Sequence, residues 1–302
     1  MTLEMLEKIS AKKMTLTTSY EDADVIISLN PRGKSKWDSK TIALCGEPKV
    51  VRPDLYSKKR AKRFLEFIPT SQFRADKVGA KYWIQLPVEL PPLLKWNSER
   101  RKRAVMVIGN KISANQESNY RLRRQVIRLD EKMNQQIDVF GVDWLDPLWL
   151  QFRRRINAAR IQLINPLEFS WSELMTDFLF VPKNYRGVMP SNFKSLTDYQ
   201  IAVVIENESD YISEKLWICL CAGVIPVYVG PSLKEYPGLE EVVYEVDKSP
   251  KQIIELISTI NIEEIEQRRK NIRKIINQLE LDKQKERFAL DLIRVIQDVS
   301  NS

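Results

Sequence analysis

Four side chains able to do chemistry together, Asn207, Tyr211, Glu214 and Lys215, crowd into one short stretch of this chain. With a helix running from Tyr211 to about Cys221, the last three stand at i, i+3 and i+4. A phenol, a carboxylate and an ammonium then share one face of the first turn. The helix N-terminus adds partial positive charge, which favours a phosphate. In that setting a carboxylate can hold ribose hydroxyls while Lys215 neutralises a phosphate. Taken by itself, Glu214-Lys215 is a common pair and reads equally well as a solvated helix turn.

Composition removes most other chemistries. There is no histidine among 302 residues, so Ser-His-Asp and Cys-His triads and histidine acid/base work are excluded. The nine glycines never fall in a GxG arrangement, so neither a Walker A loop nor a GxGxxG fingerprint is present. Cys45, Cys219 and Cys221 are the three cysteines, an odd number that suits reduced thiols in a cytosol better than a disulfide framework. Cys219 and Cys221 read as core thiols of an apolar helix, and Asp22-Ala23-Asp24 reads as a polar strand entry rather than a metal motif. The N-terminus lacks the apolar region of a secretory signal. The nearly uncharged stretch Leu216 to Pro231 is too short to span a bilayer and contains Gly223 and Pro226. These features point to a cytoplasmic protein without most of the usual zinc ligands.

The elements that must position the group are legible around it. Ile201 to Ile205 is an apolar strand, Glu206 to Asp210 a polar loop with Ser209 or Asp210 as N-cap, and Ile225 to Val229 a second strand. Together with the intervening helix this is a βαβ unit. An earlier one runs from Ala104–Ile108 through a helix at about 117–133 to Ile137–Phe140. Parallel right-handed crossovers follow from that order, and in such sheets ligands bind beyond the carboxyl ends of the strands. Upstream, 24–29 and 41–45 read as strands, and 82–87 as a third apolar stretch. The proline-rich, then charged, segment from Pro87 to Arg103 marks a domain boundary. Residues 142–180 take no clear assignment, and 262–299 read as a charged amphipathic helical tail.

The run ENESDYISEKLWICLCAGVIPVYVG resembles the signature of the α1,3/4-fucosyltransferases (glycosyltransferase family 10), roughly FEN…DYITEK, an apolar helix, then AG.VPV..G. It departs at Ile205, usually Phe, and at Ser213, usually Thr, where serine keeps the hydroxyl. Shorter stretches are similar too: Tyr185-Arg186-Gly187-Val188, Ser113-Ala114-Asn115 with Arg121, Val139-Phe140-Gly141, and Cys45-Gly46-Glu47-Pro48. The resemblance implies a GT-B-like α/β fold, with two Rossmann-like domains facing a cleft and a helical tail. It implies an acceptor-side domain over 1–98, a GDP-sugar domain over 99–261, and a tail, 262–302, packing back on the N-terminal side. The implied activity is inverting transfer of fucose from GDP-fucose to a glycan hydroxyl, with no metal or other cofactor required. Arg121 and Lys215 would meet the diphosphate, Asn207, Tyr211 and Glu214 would line the donor site, and Glu47 would be the general base. Each has a plainer reading: Glu47 as a solvated carboxylate in a turn, Tyr211 as a helix staple, Arg121 as one of several neighbouring arginines.

Lys and Arg outnumber Asp and Glu by 48 to 40, a formal charge of +8. The excess is concentrated in runs at 58–63, 100–103, 121–128 and 153–155. Solvated helix faces are the plain reading; a phosphorylated small molecule or an anionic membrane surface are the functional ones. Nucleic acid is disfavoured, because no recognition module is apparent. A GDP-sugar donor and an oligosaccharide or lipid-linked glycan acceptor are the expected partners. The rival readings are a different GDP-sugar, or a non-catalytic relative binding glycan or nucleic acid.

Overall fold

The computed structural model describes residues 17, 19–32, 38–84, 86, 90–96, 102–133, 136–164, 166–175, 180–190, 193–210, 212–279 and 281–301. The chain divides into two compact units, residues 1–88 with 280–302, and residues 89–279.

The first unit is built on three parallel strands in the order β1-β2-β3: β1 (Ile26–Leu29), β2 (Thr41–Cys45) and β3 (Glu66–Pro69). β2 lies between the others and every residue in it is buried. Side chains alternate across a strand, so β2 feeds two cores. Ile42 and Leu44 pack with Ile68, Ile84 and, from the C-terminal helix Leu281–Ser300, Phe288, Leu292 and Ile293. Ala43 and Cys45 pack on the other face with Leu55, Tyr56, Phe64 and Phe67. Helix α1 (Lys58–Ala61) and helix α2 (Gln72–Val78) flank β3 in sequence; Ser71 caps α2 by accepting from the Arg74 N–H, and Gly79 closes it at φ 72°. The third strand, Glu66–Pro69, is one that sequence patterning did not single out. Ile84 contributes to the core, and its N–H makes a single bond to the Pro69 carbonyl, 3.1 Å, at the end of β3.

The second unit is a five-stranded parallel sheet ordered β5-β4-β6-β7-β8. Its strands are β4 (Lys102–Val107), β5 (Ile137–Phe140), β6 (Tyr199–Ile205), β7 (Ile225–Val229) and β8 (Tyr244–Glu245). Helix α3 (Tyr120–Met133) connects β4 to β5, and helix α6 (Glu214–Cys221) connects β6 to β7. β6 has β4 on one side and β7 on the other, and it is buried throughout Ile201–Ile205, which is why that stretch is an unbroken apolar run. At the end of α6, Gly223 adopts φ +66° beneath the Trp96 indole, where an added Cβ would lie 2.6 Å from the ring. No side chain fits there. Between β5 and β6 the chain forms α4 (Leu148–Gln162) and the short α5 (Trp171–Met175), in the stretch that sequence patterning left unassigned. The segment read as one helical tail holds separate helices. Ile262–Gln278 belongs to the second unit, with Asn261 accepting from the Glu263 N–H at 3.0 Å, and Leu281–Ser300 belongs to the first.

The basic runs are not uniformly solvated. Arg123, Arg124 and Arg155 are buried at 2, 3 and 5% exposure, and Arg103 donates to the Ile257 carbonyl at 3.1 Å. Among the described residues, no helix is long and apolar enough to cross a membrane. The fold is α/β with parallel sheets in both units.

Candidate functional site

In the second unit, the chain leaves β4 towards β5 on one side and returns as β6 on the other. The order of strands reverses there, and the carboxyl ends of β4 and β6 diverge into the kind of crevice where α/β sheets take ligands. Three elements reach this point: the loop after β4, the first turn of α3, and the loop from β6 into α6.

Arg123, one turn into α3, joins two of them. Its guanidinium donates to the Ile205 carbonyl through both Nε, at 3.0 Å, and Nη2, and Nη2 also reaches Asn207 Oδ1 at 2.9 Å. Asn119 completes the join: its Nδ2 donates to the Glu206 carbonyl at 3.1 Å and its N–H to the Asn207 carbonyl at 2.9 Å. Burial pulls the Arg123 guanidinium below its usual range; three charge-assisted bonds to fixed acceptors hold it there nonetheless. Arg124, next to it, donates to the Lys111 carbonyl at 2.9 Å and so anchors the loop after β4.

Glu206 is fully buried. Its Oε1 accepts the Ser213 N–H at 2.9 Å, tying the start of the loop to its end. Burial pushes the carboxyl up, while the Ser213 backbone and side chain, Lys215 and Arg123 pull it down. Its Oε2 and the Tyr228 hydroxyl lack hydrogen-bond partners among the described residues. Gly230 sits against both side chains, where a Cβ would fall 2.2 Å from the Tyr228 hydroxyl and 2.7 Å from Glu206 Cγ. Replacing Glu206 with alanine strands the Ser213 N–H, which is expected to cost about 1–3 kcal/mol. Thermal unfolding of the apo protein should show a drop of several degrees.

The Glu206–Ser213 bond also sets where α6 begins. Ser213 is extended (φ −92°, ψ 167°) and is the N-cap, with Glu214 as the first helical residue. The helix was expected from Tyr211, with Ser209 or Asp210 as cap; that start is displaced because the tertiary bond to Ser213 outweighs the local capping signal. Consequently the i, i+3, i+4 face expected for Tyr211, Glu214 and Lys215 is not a feature of the helix, and Tyr211 itself lies outside the described residues. Glu214 is exposed on the first turn and Lys215, beside it, is half-buried. Burial lowers the Lys215 ammonium to about 8, helped by Arg123 and Lys111 and opposed by Glu206 and Glu214. Lys215, Glu206, Arg123 and Lys111 are therefore electrostatic neighbours.

Asn207 belongs to the same group through Arg123, which fixes its carbonyl oxygen. Arg121 is half-buried on the first turn of α3, and its backbone N–H and charge act on Glu173, whose carboxyl burial raises. The arginine bonded directly to the β6 loop is Arg123, two residues on. Arg123, Glu206 and Asn119 were not singled out in the sequence. The signal available was the apolar run Ile201–Ile205 in β6, whose C-terminal carbonyls need donors.

Glu47 lies in the first unit, in the turn after β2. Its backbone is held at both ends: the N–H donates to Asn30 Oδ1 at 2.9 Å, and the carbonyl accepts from the Tyr56 hydroxyl at 2.9 Å and from Arg74 at 3.5 Å. Asn30 holds the turn from a left-handed conformation, φ 51°, which asparagine tolerates. Its own carbonyl accepts from Arg52 at 3.3 Å. The Glu47 side chain is half-buried and its carboxylate has no hydrogen-bond partner among the described residues. The carboxylate is thus left open on a rigid turn. Two residues before it, burial pushes the Cys45 thiol up to about 12. Among the described residues there is no group of three or more Cys, Asp and Glu side chains placed to hold a metal ion.

No family model matches the chain. A stretch of 76 residues is 33% identical to α-(1,3)-fucosyltransferase B of Drosophila melanogaster, covering 24% of this chain and 17% of that protein. The fold is similar to the crystal structure of TarM, with a TM-score of 0.50 at 10% identity, over 84% of this chain and 50% of that one. It is also similar, at a TM-score of 0.47 and 13% identity, to an α1,3-fucosyltransferase solved with GDP, over 92% of this chain and 84% of that one.

Proposed function

We propose that the chain is an inverting glycosyltransferase of the α1,3-fucosyltransferase type, moving fucose from GDP-fucose to a hydroxyl of an oligosaccharide or lipid-linked glycan. The observation that carries the reading is the cationic point where β4 and β6 diverge. There Lys215 is held beside Arg123 and Glu206, inside the stretch whose sequence resembles the donor signature. The curated relative, an α-(1,3)-fucosyltransferase matched over 76 residues, supports the same family.

In this reading Glu47 takes the proton from the acceptor hydroxyl. The oxygen attacks the anomeric carbon of fucose from the face opposite the diphosphate, the bond from that carbon to the β-phosphate oxygen breaks, and GDP leaves. Lys215 and Arg121 meet the charge that develops on the diphosphate, as fixed cations in a partly desolvated site can. Asn207, with its oxygen fixed by Arg123, offers its amide N–H groups to the nucleotide; Glu214 and Tyr211 line the remainder. The acceptor-side role falls to the N-terminal unit and the donor role to the second.

Calorimetry with GDP, GDP-fucose, GDP-mannose and UDP-glucose tests the donor, and transfer of labelled fucose to a glycan panel tests the reaction. Binding of GDP and GDP-fucose with fucosylated product supports the proposal. GDP binding with transfer of another sugar would replace fucose, and absence of any nucleotide binding would overturn the reading.

The Lys215 ammonium makes the affinity pH-dependent. A bound diphosphate favours the charged form and raises its pKa above the free value of about 8. GDP affinity should therefore be full below pH 8 and fall about tenfold per pH unit above it, until the bound-state pKa is reached. The apo protein should move oppositely, gaining stability between pH 8 and the unfolded lysine value, because the folded state disfavours the proton. Calorimetry at pH 7, 8 and 9 checks the first, and thermal unfolding over the same range the second.

A further inference from the structure

Helix α4 is inverted for a helix on the surface of an α/β unit. Its inward face is polar: Gln151, Arg155 and Gln162 are buried, with Gln151 Nε2 bonded to the Asp146 carbonyl at 2.9 Å and Arg155 to the Gln151 carbonyl at 3.3 Å. One flank of its exposed surface is apolar. Trp149 is 64% exposed, Phe152 57%, Leu148 52% and Ile156 44%. At 100° per residue these four, with Leu163 just past the helix, form one stripe, and Arg153 and Arg160 line one edge of it. Further along the chain, Leu167 and Trp171 are exposed as well. Large apolar surface in one place on a soluble unit marks a contact.

Charge identifies what makes that contact. α4 contains four arginines and no acidic residue. Arg155 is buried, and Arg154 is committed to Asp143 at 3.0 Å and Asp146 at 2.5 Å. Arg153 and Arg160 remain exposed, with no ion pair among the described residues. A second copy of the same face would bring these cations together with no carboxylate on the helix to meet them. An amphipathic helix with an aromatic apolar face and an arginine margin suits the boundary between anionic headgroups and acyl chains.

We propose that this face of α4 docks the protein on an anionic phospholipid surface, with Trp149 and Phe152 entering the headgroup boundary and Arg153 and Arg160 meeting lipid phosphates. The proposal is independent of the transferase reading. It uses no residue of the nucleotide site, and it locates membrane contact on a helix rather than in the basic runs at large.

Sedimentation of the full chain with phosphatidylcholine vesicles, and with vesicles containing about a third phosphatidylglycerol, tests it. The expected result is binding at least about tenfold stronger to the anionic vesicles, weakened by salt. A Trp149→Ser/Phe152→Ser variant should lose about tenfold or more, and an Arg153→Gln/Arg160→Gln variant about fivefold per arginine. All four side chains are exposed, so both variants should fold; far-UV circular dichroism and an unchanged melting temperature are the controls. Equal binding by parent and variants, or no binding to anionic vesicles, overturns the proposal. So does concentration-dependent self-association in sedimentation velocity that the apolar variant abolishes, which would assign the face to a second copy.

Discussion

Lys215→Ala is expected to lower kcat/KM with GDP-fucose by about 100-fold or more, the usual consequence of removing one fixed donor from a site of developing charge. The same variant should lose the thermal stabilisation that GDP confers on the parent, which for ligand at about 100 times its dissociation constant is worth about 2.7 kcal/mol. The apo protein should not suffer. Burial already disfavours the Lys215 ammonium, whose pKa lies near 8, so its removal withdraws an unfavourable charge from the folded state. Glu206 then loses one of the cations that pull its carboxyl down and protonates more readily. Lys215→Arg should not restore activity, because a planar guanidinium cannot replace a point charge in that space. Melting curves with and without GDP, alongside initial rates, separate a lost ligand contact from a lost fold. Retention of the GDP shift in Lys215→Ala would remove this residue from the donor site.

Glu47→Gln is expected to reduce kcat by about 10²–10⁴, the range for loss of a general base, while leaving GDP binding unchanged. The turn itself should survive. Asn30, Tyr56 and Arg74 all bind the backbone of Glu47, and its carboxylate holds none of them. Glutamine keeps the size of the side chain and removes only its capacity to take a proton. Single-turnover rates with GDP-fucose and a glycan acceptor, against a GDP titration of the same preparation, are the measurement. A fall of less than about tenfold would assign the base elsewhere and leave the donor reading standing.

The βαβ units were legible where burial is two-sided. Every residue of Ile201–Ile205 and Ile225–Val229 is buried, whichever face of the sheet it points to, so their apolar runs are continuous and easily read. β3 was not, because four residues ending in Pro69 carry too little pattern. At the site, the loop after β6 and the residues Asn207, Glu214 and Lys215 could be found from their order along the chain. The bonds that arrange them could not. Glu206 reaches Ser213 seven residues on, and Arg123 reaches Ile205 across 82 residues. Local capping preferences therefore placed the start of α6 too early, and nothing in the order of residues marked the buried Arg123 as the partner of Asn207. α4 was unreadable for a different reason: its apolar stripe is periodic, but stays exposed among the described residues.

The first unit closes its core with residues from the far end of the chain: Phe288, Leu292 and Ile293 cover Ile42 and Leu44, and the Tyr82 hydroxyl reaches Asp298 at 2.9 Å. During vectorial synthesis, β1, β2 and β3 emerge from the ribosome long before that helix exists. Their apolar face must wait, uncovered, while residues 89–279 are made and can collapse on their own sheet. The order of maturation is thus reversed relative to the usual N-terminal-first sequence. The first unit therefore cannot complete this core until a helix that follows the whole of residues 89–279 has been made.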